Sequence, residues 1–254
     1  MKPRQIQLFI CAVQFLTRLP TPRLAGFEPD WTARSARYFP LVGQLVGAIS
    51  AAAYLGAALV WPPWIAALLA VAAGVVVTGG FHEDGLADAV DGLGGGHDRA
   101  RRLAIMKDSR IGTYGVLALG LTVALKVAAL ASLPPGVAPL ALVAGHGAAR
   151  AAAVAAMRAQ PYAGDPDAAK WLPAPAGPTP ADLALALLFA AWPLLLLAPV
   201  AASLSLVLGA VLALALALAA RRLVGGQTGD ILGGVEQLFE TGFLLGLAVR
   251  VVQP

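Results

Sequence analysis

The chain reads as an all-α, polytopic integral membrane helical bundle, with about seven transmembrane spans (six to eight) and an N-terminal amphipathic helix. Three observations predict this class. Of the 254 residues, 59% are hydrophobic and only 13% are charged, about half the charged share of a soluble domain. The apolar residues fall in runs long enough to cross the roughly 30 Å hydrocarbon core of a bilayer. Lys and Arg collect in alternate connections, as they do in the cytoplasmic loops of membrane proteins. The formal net charge of +4 is therefore read as topology, and no nucleic-acid partner is expected. The single cysteine, Cys11, excludes an intrachain disulfide and a zinc thiolate cluster. Residues 1–254 are expected to form one membrane-embedded catalytic domain.

Taken in order, the leader MKPRQIQLFICAVQFLTRLPTP carries early positive charge, but Gln5, Gln7 and Gln14 interrupt its apolar run. It lacks the continuous apolar core of a cleaved signal peptide and is expected to stay as an amphipathic helix on the lipid surface. Residues 40–60 hold no charge and make the first span. Gly43 and Gly47 put a small-xxx-small face on it, as Gly242 and Gly246 do on the last segment, so a helix of this chain or of a second copy can approach closely. These faces allow a homo-oligomer, but the sequence does not set the oligomeric state. After WPPW, residues 64–81 form a second span that leads directly into the chain's most polar stretch.

Residues 112–132 form a third span, with Lys126 near its far end and placed to snorkel toward headgroups. Pro134, Pro135 and Gly136 end it. A fourth runs over 137–157 and holds His146 and Arg150 at i, i+4. Ionisable groups inside a span cost about 2.5 kcal/mol or more on insertion scales, which makes both functional candidates. Arg150 is expected either to meet a substrate phosphate or to pair with a carboxylate. The 158–181 loop, rich in Pro and Gly and carrying Asp165, Asp167, Lys170 and Trp171, is expected at the membrane surface as a substrate lid. Residues 182–220 would extend about 58 Å as one helix, too long for one crossing, and Pro199 divides them in two. Arg221 and Arg222 stop the second half. A last segment, 231–251, carries Glu236 and Glu240 at i, i+4.

Basic residues test the layout independently of hydropathy. Six Lys or Arg precede the first span and five lie in the polar stretch, whereas the turns at 61–63, 133–136 and 199–201 hold none. The positive-inside rule then puts the N-terminus, the Asp-rich segment 82–111, the 158–181 loop and the 221–230 segment on the cytoplasmic side. A multi-pass protein of the cell (inner) membrane, in contact with lipid and with its active site facing the cytoplasm, is the expected location.

Within TGGFHEDGLADAVDGLGGGHDRARRLAIMKDSRIGTYG, residues 78–115, Asp84, Asp88 and Asp91 recur at i, i+4 and i+7. At about 100° per residue they share an arc of about 60° on one helical face. Carboxylates that crowded raise one another's pKa unless a cation lies between them, and an all-oxygen donor set favours Mg²⁺ or Mn²⁺ over zinc. Arg99, Arg101, Arg102, Lys107 and Arg110 follow, so the pattern points to a metal–phosphate site. Gly85, Gly92 and Gly94–Gly96 either leave backbone open to a bulky ligand or end the helix. No strand precedes them, which excludes a Rossmann or P-loop reading. His82 is a candidate base or phosphate donor, or else an interfacial histidine. In the second polar island, Gly225–Glu240, Thr228 and Asp230 either cap the following helix or reach the same site. Asp230 is then a fourth metal ligand, and Glu236 lies about 240° further round the helix.

These residues carry a family resemblance. Gln14-Phe-Leu-Thr-Arg-Leu-Pro20 with Pro22, Tyr38-Phe-Pro40 with Gly43, His82-Glu-Asp-Gly-Leu-Ala-Asp-Ala-Val-Asp-Gly92, Ile105-Met-Lys-Asp-Ser-Arg-Ile-Gly-Thr-Tyr-Gly115 and Thr228-Gly-Asp230 follow in the family's order. The chain thus resembles the cobalamin synthase (adenosylcobinamide-GDP ribazoletransferase) family, departing from it at Glu83, where an apolar residue is usual. The resemblance implies an enzyme in which the 3′-hydroxyl of α-ribazole, or of its 5′-phosphate, attacks the cobinamide-linked phosphate of adenosylcobinamide-GDP and releases GMP, with Mg²⁺ as cofactor. It implies that Asp84, Asp88 and Asp91 hold the metal with Asp230 closing the site. One of these carboxylates, or His82, would take the hydroxyl proton, and Lys107, Asp108 and Arg110 would position a phosphate. Two rivals remain at this point. A CDP-alcohol-type membrane phosphotransferase also uses spaced aspartates, although its usual arginine after the first Asp-Gly pair is replaced here by Ala87-Asp88. A transporter also places carboxylates among apolar spans.

Overall fold

The computed structural model describes residues 5–24, 30–164 and 177–249, so Asp165, Asp167, Lys170 and Trp171 of the expected lid lie outside the described residues. Among the described residues the chain is a bundle of helices. They are α1 (Gln5–Leu16), α2 (Trp31–Ser35) with a 3-10 turn at Ala36–Tyr38, α3 (Phe39–Ala58), α4 (Pro63–Thr78), α5 (Phe81–Gly95) and α6 (Arg99–Met106). There follow α7 (Thr113–Ser132), α8 (Ala138–Ala159), α9 (Pro180–Leu194), α10 (Pro199–Val224) and α11 (Gly229–Leu247). Turn chemistry sets the boundaries. Pro63, Pro180 and Pro199 stand at helix starts, where a missing N–H costs nothing. Thr179 and Asp182 close a reciprocal capping box on α9, and buried Asp182 also pairs with Arg37, tying α9 to the turn before α3.

Each of the seven expected spans coincides with a helix. Four segments, Trp31–Ala58, α7, α8 and α10, are long and apolar enough to cross a membrane, and a fifth counts if α4 and α5 form one broken span. The polytopic membrane bundle stands. α9 has only 15 residues, and α11 is set apart by its three acidic residues. Yet α11 is the centre of the molecule, with 14 of its 19 residues buried among α10, α5, α8 and α7. The 90° bend between α4 and α5 turns α5 away from the direction of its neighbour.

Both small-xxx-small faces are used within the chain. A Cβ on Gly47 would sit 2.5 Å from the Leu142 carbonyl, and one on Gly43 would overlap the carbonyl of His146, so α3 lies backbone to backbone on α8. A Cβ on Gly242 would sit 2.6 Å from the Leu208 carbonyl, and Gly246 is pressed against Ser205, so α11 lies in the same way on α10. Close approach of this kind gives dispersion and packing where lipid removes the hydrophobic driving force. These faces therefore support no contact with a second copy.

Candidate active site

α5 and α11 cross where both carry glycine. A Cβ on Gly85 would stand 3.0 Å from the Asp230 carbonyl and 3.3 Å from the Gly233 Cα, and only that lack of side chains brings the two backbones together. The crossing sets Asp230, in the first turn of α11, against the face of α5 that carries exposed Asp84 and half-buried Asp88. Asp88 feels the result. Burial, then the charges of Asp84, Asp230 and Asp91 in that order, push its carboxyl up from 3.8 to about 7. A carboxylate held up by other carboxylates is a site short of positive charge. Thr228 is the N-cap of α11, its Oγ1 accepting from the Ile231 amide at 3.3 Å, so the capping alternative for this residue is realised while it also flanks Asp230.

Asp91 faces the same way but is already engaged. Its Oδ2 accepts from the Gly112 amide at 2.7 Å and its Oδ1 from the Gly115 amide at 2.9 Å, so it caps α7 from outside that helix. A Cβ on Gly112 would come within 2.5 Å of Asp91 Oδ1, and one on Gly115 would overlap the other oxygen. The spacing of the two glycines in Gly112-Thr-Tyr-Gly115 was the legible trace of this contact. Asp91→Asn replaces one acceptor with a donor facing an N–H. It is expected to lower stability by about 1–3 kcal/mol, read as a lower thermal midpoint in detergent, whereas Asp84→Asn at an exposed position does not lower the midpoint.

His82, expected beside the aspartates, is turned away from them. It lies about 160° round α5 from Asp84, is buried, and lines a small inner cavity with Gly74, Thr78, Glu83, Lys126 and His146. This cavity is the heart of a buried polar network. Arg150 Nη1 donates to Glu236 Oε1 at 2.7 Å and to the His146 carbonyl at 3.0 Å, which realises the carboxylate-pairing alternative for Arg150 and withdraws it from the substrate. Lys126 does not snorkel. It is 3% exposed, its ammonium 2.8 Å from Glu240 Oε1 and 2.7 Å from Gln237 Oε1, because an inward-facing carboxylate is nearer than any headgroup. Gln237 Nε2 also donates to Glu83 Oε1 at 3.0 Å and to Glu236 Oε2 at 3.1 Å, which anchors α5 to α11. Glu83 thus ties α5 to α11 through its Oε1. Donor atoms of His146, Glu236 and Glu240 lie within 4.8 Å of one another, but Arg150 and Lys126 already supply the positive charge there, so this is an ion-pair network.

The basic residues of the polar stretch divide by role. Arg99 pins α6 to the bundle, donating to the Val224 carbonyl at 2.8 Å and the Ala163 carbonyl at 2.9 Å. It thereby sets the Asp-rich segment and the end of α10 at the same end of the molecule. Asp108 and Arg110 clasp each other, with Arg110 Nη2 2.7 Å from Oδ2 and Nε 3.0 Å from Oδ1. These bonds hold the Asp108 carboxyl down at about 2. Exposed Lys107 lies beside them.

Comparison with known proteins follows the same residues. The family model described as cobalamin-5-phosphate synthase matches residues 8–248. A relative from Leptothrix cholodnii is 46% identical over 253 residues, covering 95% of each chain. One from Shewanella frigidimarina is 42% identical over 250 residues, covering 97% of this chain and 96% of its own. One from Azorhizobium caulinodans is 43% identical over 251 residues, covering 94% of each. All three are named adenosylcobinamide-GDP ribazoletransferase. No solved structure matches the chain.

Proposed function

Because the chain belongs to the cobalamin-5-phosphate synthase family, we propose that it joins adenosylcobinamide-GDP to α-ribazole or its 5′-phosphate, releases GMP, and does so at the α5–α11 crossing. The observation that carries the site is the crowding of Asp84, Asp88 and Asp230, with the Asp88 carboxyl pushed to about 7 by burial and by its acidic neighbours. That donor set is all oxygen and suits Mg²⁺. Bound there, the ion would neutralise diphosphate charge and favour departure of GMP. Asp84, Asp88 and Asp230 would hold it. Asp91, with both oxygens on amides, orients α5 against α7 and keeps one lone pair on each oxygen for the site.

The ribazole 3′-oxygen forms a bond to the cobinamide-linked phosphorus as the bond from that phosphorus to the GMP oxygen breaks, and GMP leaves with the electron pair. The hydroxyl proton passes to a carboxylate of the aspartate face, since His82 faces the inner cavity. Lys107 would meet a substrate phosphate, joined by Arg110 if Asp108 releases it. The site would open to the cytoplasmic side of the inner membrane, the side to which the positive-inside rule assigns Arg221, Arg222 and the α6 arginines.

Purified protein in lipid, given both organic substrates and Mg²⁺, is expected to release GMP only when all three are present, and chelator is expected to abolish it. GMP release without the ribazole would sink the transferase reading, and full turnover in chelator would sink the metal. The pH dependence has a defined sign. The folded, metal-free protein keeps the Asp88 proton up to about pH 7, against 3.8 for an ordinary Asp. This group therefore destabilises the metal-free fold progressively as pH rises from about 4 to about 7. A cation that replaces the proton should raise the thermal midpoint more at pH 8 than at pH 6. Asp88→Asn should flatten that difference.

A further inference from the structure

We propose that Arg18, on the turn that follows α1, is a substrate-binding residue that holds the diphosphate of the nucleotide-linked substrate, an inference that rests on the reaction and site proposed above. The turn is built in detail. Thr17 Oγ1 donates to the Val13 carbonyl at 2.8 Å and accepts from the Leu19 amide at 3.2 Å, and Gln14 Nε2 donates to the Pro22 carbonyl at 2.9 Å. The Arg18 amide then donates to the Val77 carbonyl at 2.8 Å, which fastens the turn to the last turn of α4. The side chain continues from there across the bend into α5. It lies on Gly79, where a Cβ would overlap Nε and stand 2.7 Å from Cδ and Cζ. Gly79 and Gly80 both have left-handed φ, 71° and 70°, so the bend is bare backbone and the guanidinium rests directly on it.

The turn sits against the start of the aspartate-bearing helix. Phe15, in the last turn of α1, packs its ring 5.4 Å from that of Phe81, the first residue of α5. Phe81 lies about 60° round α5 from Asp84, so the end of α1 flanks the side of the bend on which Asp84 is exposed. Gly79, under the guanidinium, precedes Asp84 by five residues across the bend. Arg18 is exposed and forms no ion pair with a described residue, in contrast to Arg34, Arg37, Arg110 and Arg150, so its fork is open to a phosphate. An exposed arginine at the end of α4 is also favoured by that helix's dipole, and the test must separate the two roles.

Wild-type, Arg18→Gln and Arg18→Lys proteins in lipid nanodiscs would be compared by steady-state kinetics with each substrate varied in turn. Equilibrium binding of GDP with Mg²⁺ and the thermal midpoint without ligands would be measured alongside. Loss of a charge-assisted contact predicts that Arg18→Gln raises KM for adenosylcobinamide-GDP by about 10- to 100-fold and weakens GDP binding in the same proportion. The KM for the ribazole substrate and the thermal midpoint stay unchanged, and Lys, with a single point charge, falls between. Unchanged KM and unchanged GDP affinity in Arg18→Gln overturn the proposal, and a lowered midpoint accompanying them assigns Arg18 to capping α4 only. A wild-type protein that binds GDP but releases no GMP counts against the reaction, and the GDP affinities then still decide the role of Arg18.

Discussion

Arg150→Met is expected to destabilise the bundle by about 3–5 kcal/mol, and the double variant Arg150→Met, Glu236→Met to recover much of that loss. Arg150 is 1% exposed and Glu236 is fully buried, joined at 2.7 Å. Removing the guanidinium leaves a carboxylate in the interior with only the Gln237 amide on its other oxygen, and an uncompensated buried charge is among the costliest changes a core can suffer. Removing both charges replaces the pair with apolar side chains of similar volume, and no group is then left without its counter-charge. Thermal midpoints of the two single variants and the double variant in one detergent measure the coupling. If the double variant loses as much as the two single losses added together, the pair contributes nothing as a pair, and the account of the α8–α11 junction fails.

The same network marks the limit of what was legible in the chain. Helix boundaries came through because proline, glycine and charge punctuate apolar runs, so the seven expected spans fell on helices. The aspartate face came through because a helical period of 3.6 fixes which of residues 84, 88 and 91 share a side. Lys126 was misread because hydropathy assigns each span its own environment and cannot say that Glu240, 114 positions later, stands opposite. The usable signal was charge complementarity between spans, with Lys126 and Arg150 in two and Glu236 and Glu240 in a third. His82 was misplaced by proximity in sequence, since two residues along a helix is about 200° of rotation. Asp91 was legible as a member of the face but not as a cap. Its partners are backbone amides of α7, and backbone groups leave no letter in the sequence beyond the two glycines that make room for it. The glycine pairs on α3 and α11 predicted close approach correctly without identifying the partner helix, which packing within the chain supplied.

Asp84→Asn is expected to reduce GMP release by about 10²–10³-fold or more without lowering the thermal midpoint of the metal-free protein, and Asp88→Asn to do the same with a loss of the pH dependence of Mg²⁺ stabilisation. The separation follows from where each group sits. Asp84 is exposed and Asp88 half-buried, and neither accepts a hydrogen bond from a described helix end, so neither charge holds the fold together. In the metal-free state the fold is relieved by losing one, because Asp84 and Asp230 are among the groups that push the Asp88 carboxyl up to about 7. A residue that is unfavourable for the empty fold and exposed on a face shared with two other carboxylates is kept for what it binds. The decisive experiment titrates Mg²⁺ against turnover in each variant. A ligand role predicts a shift to higher metal requirement in both variants, with partial recovery of rate at saturating metal. A proton-accepting role for Asp88 instead predicts a loss of rate that no Mg²⁺ concentration restores. Wild-type turnover by both variants at limiting metal would remove the aspartate face from the chemistry altogether.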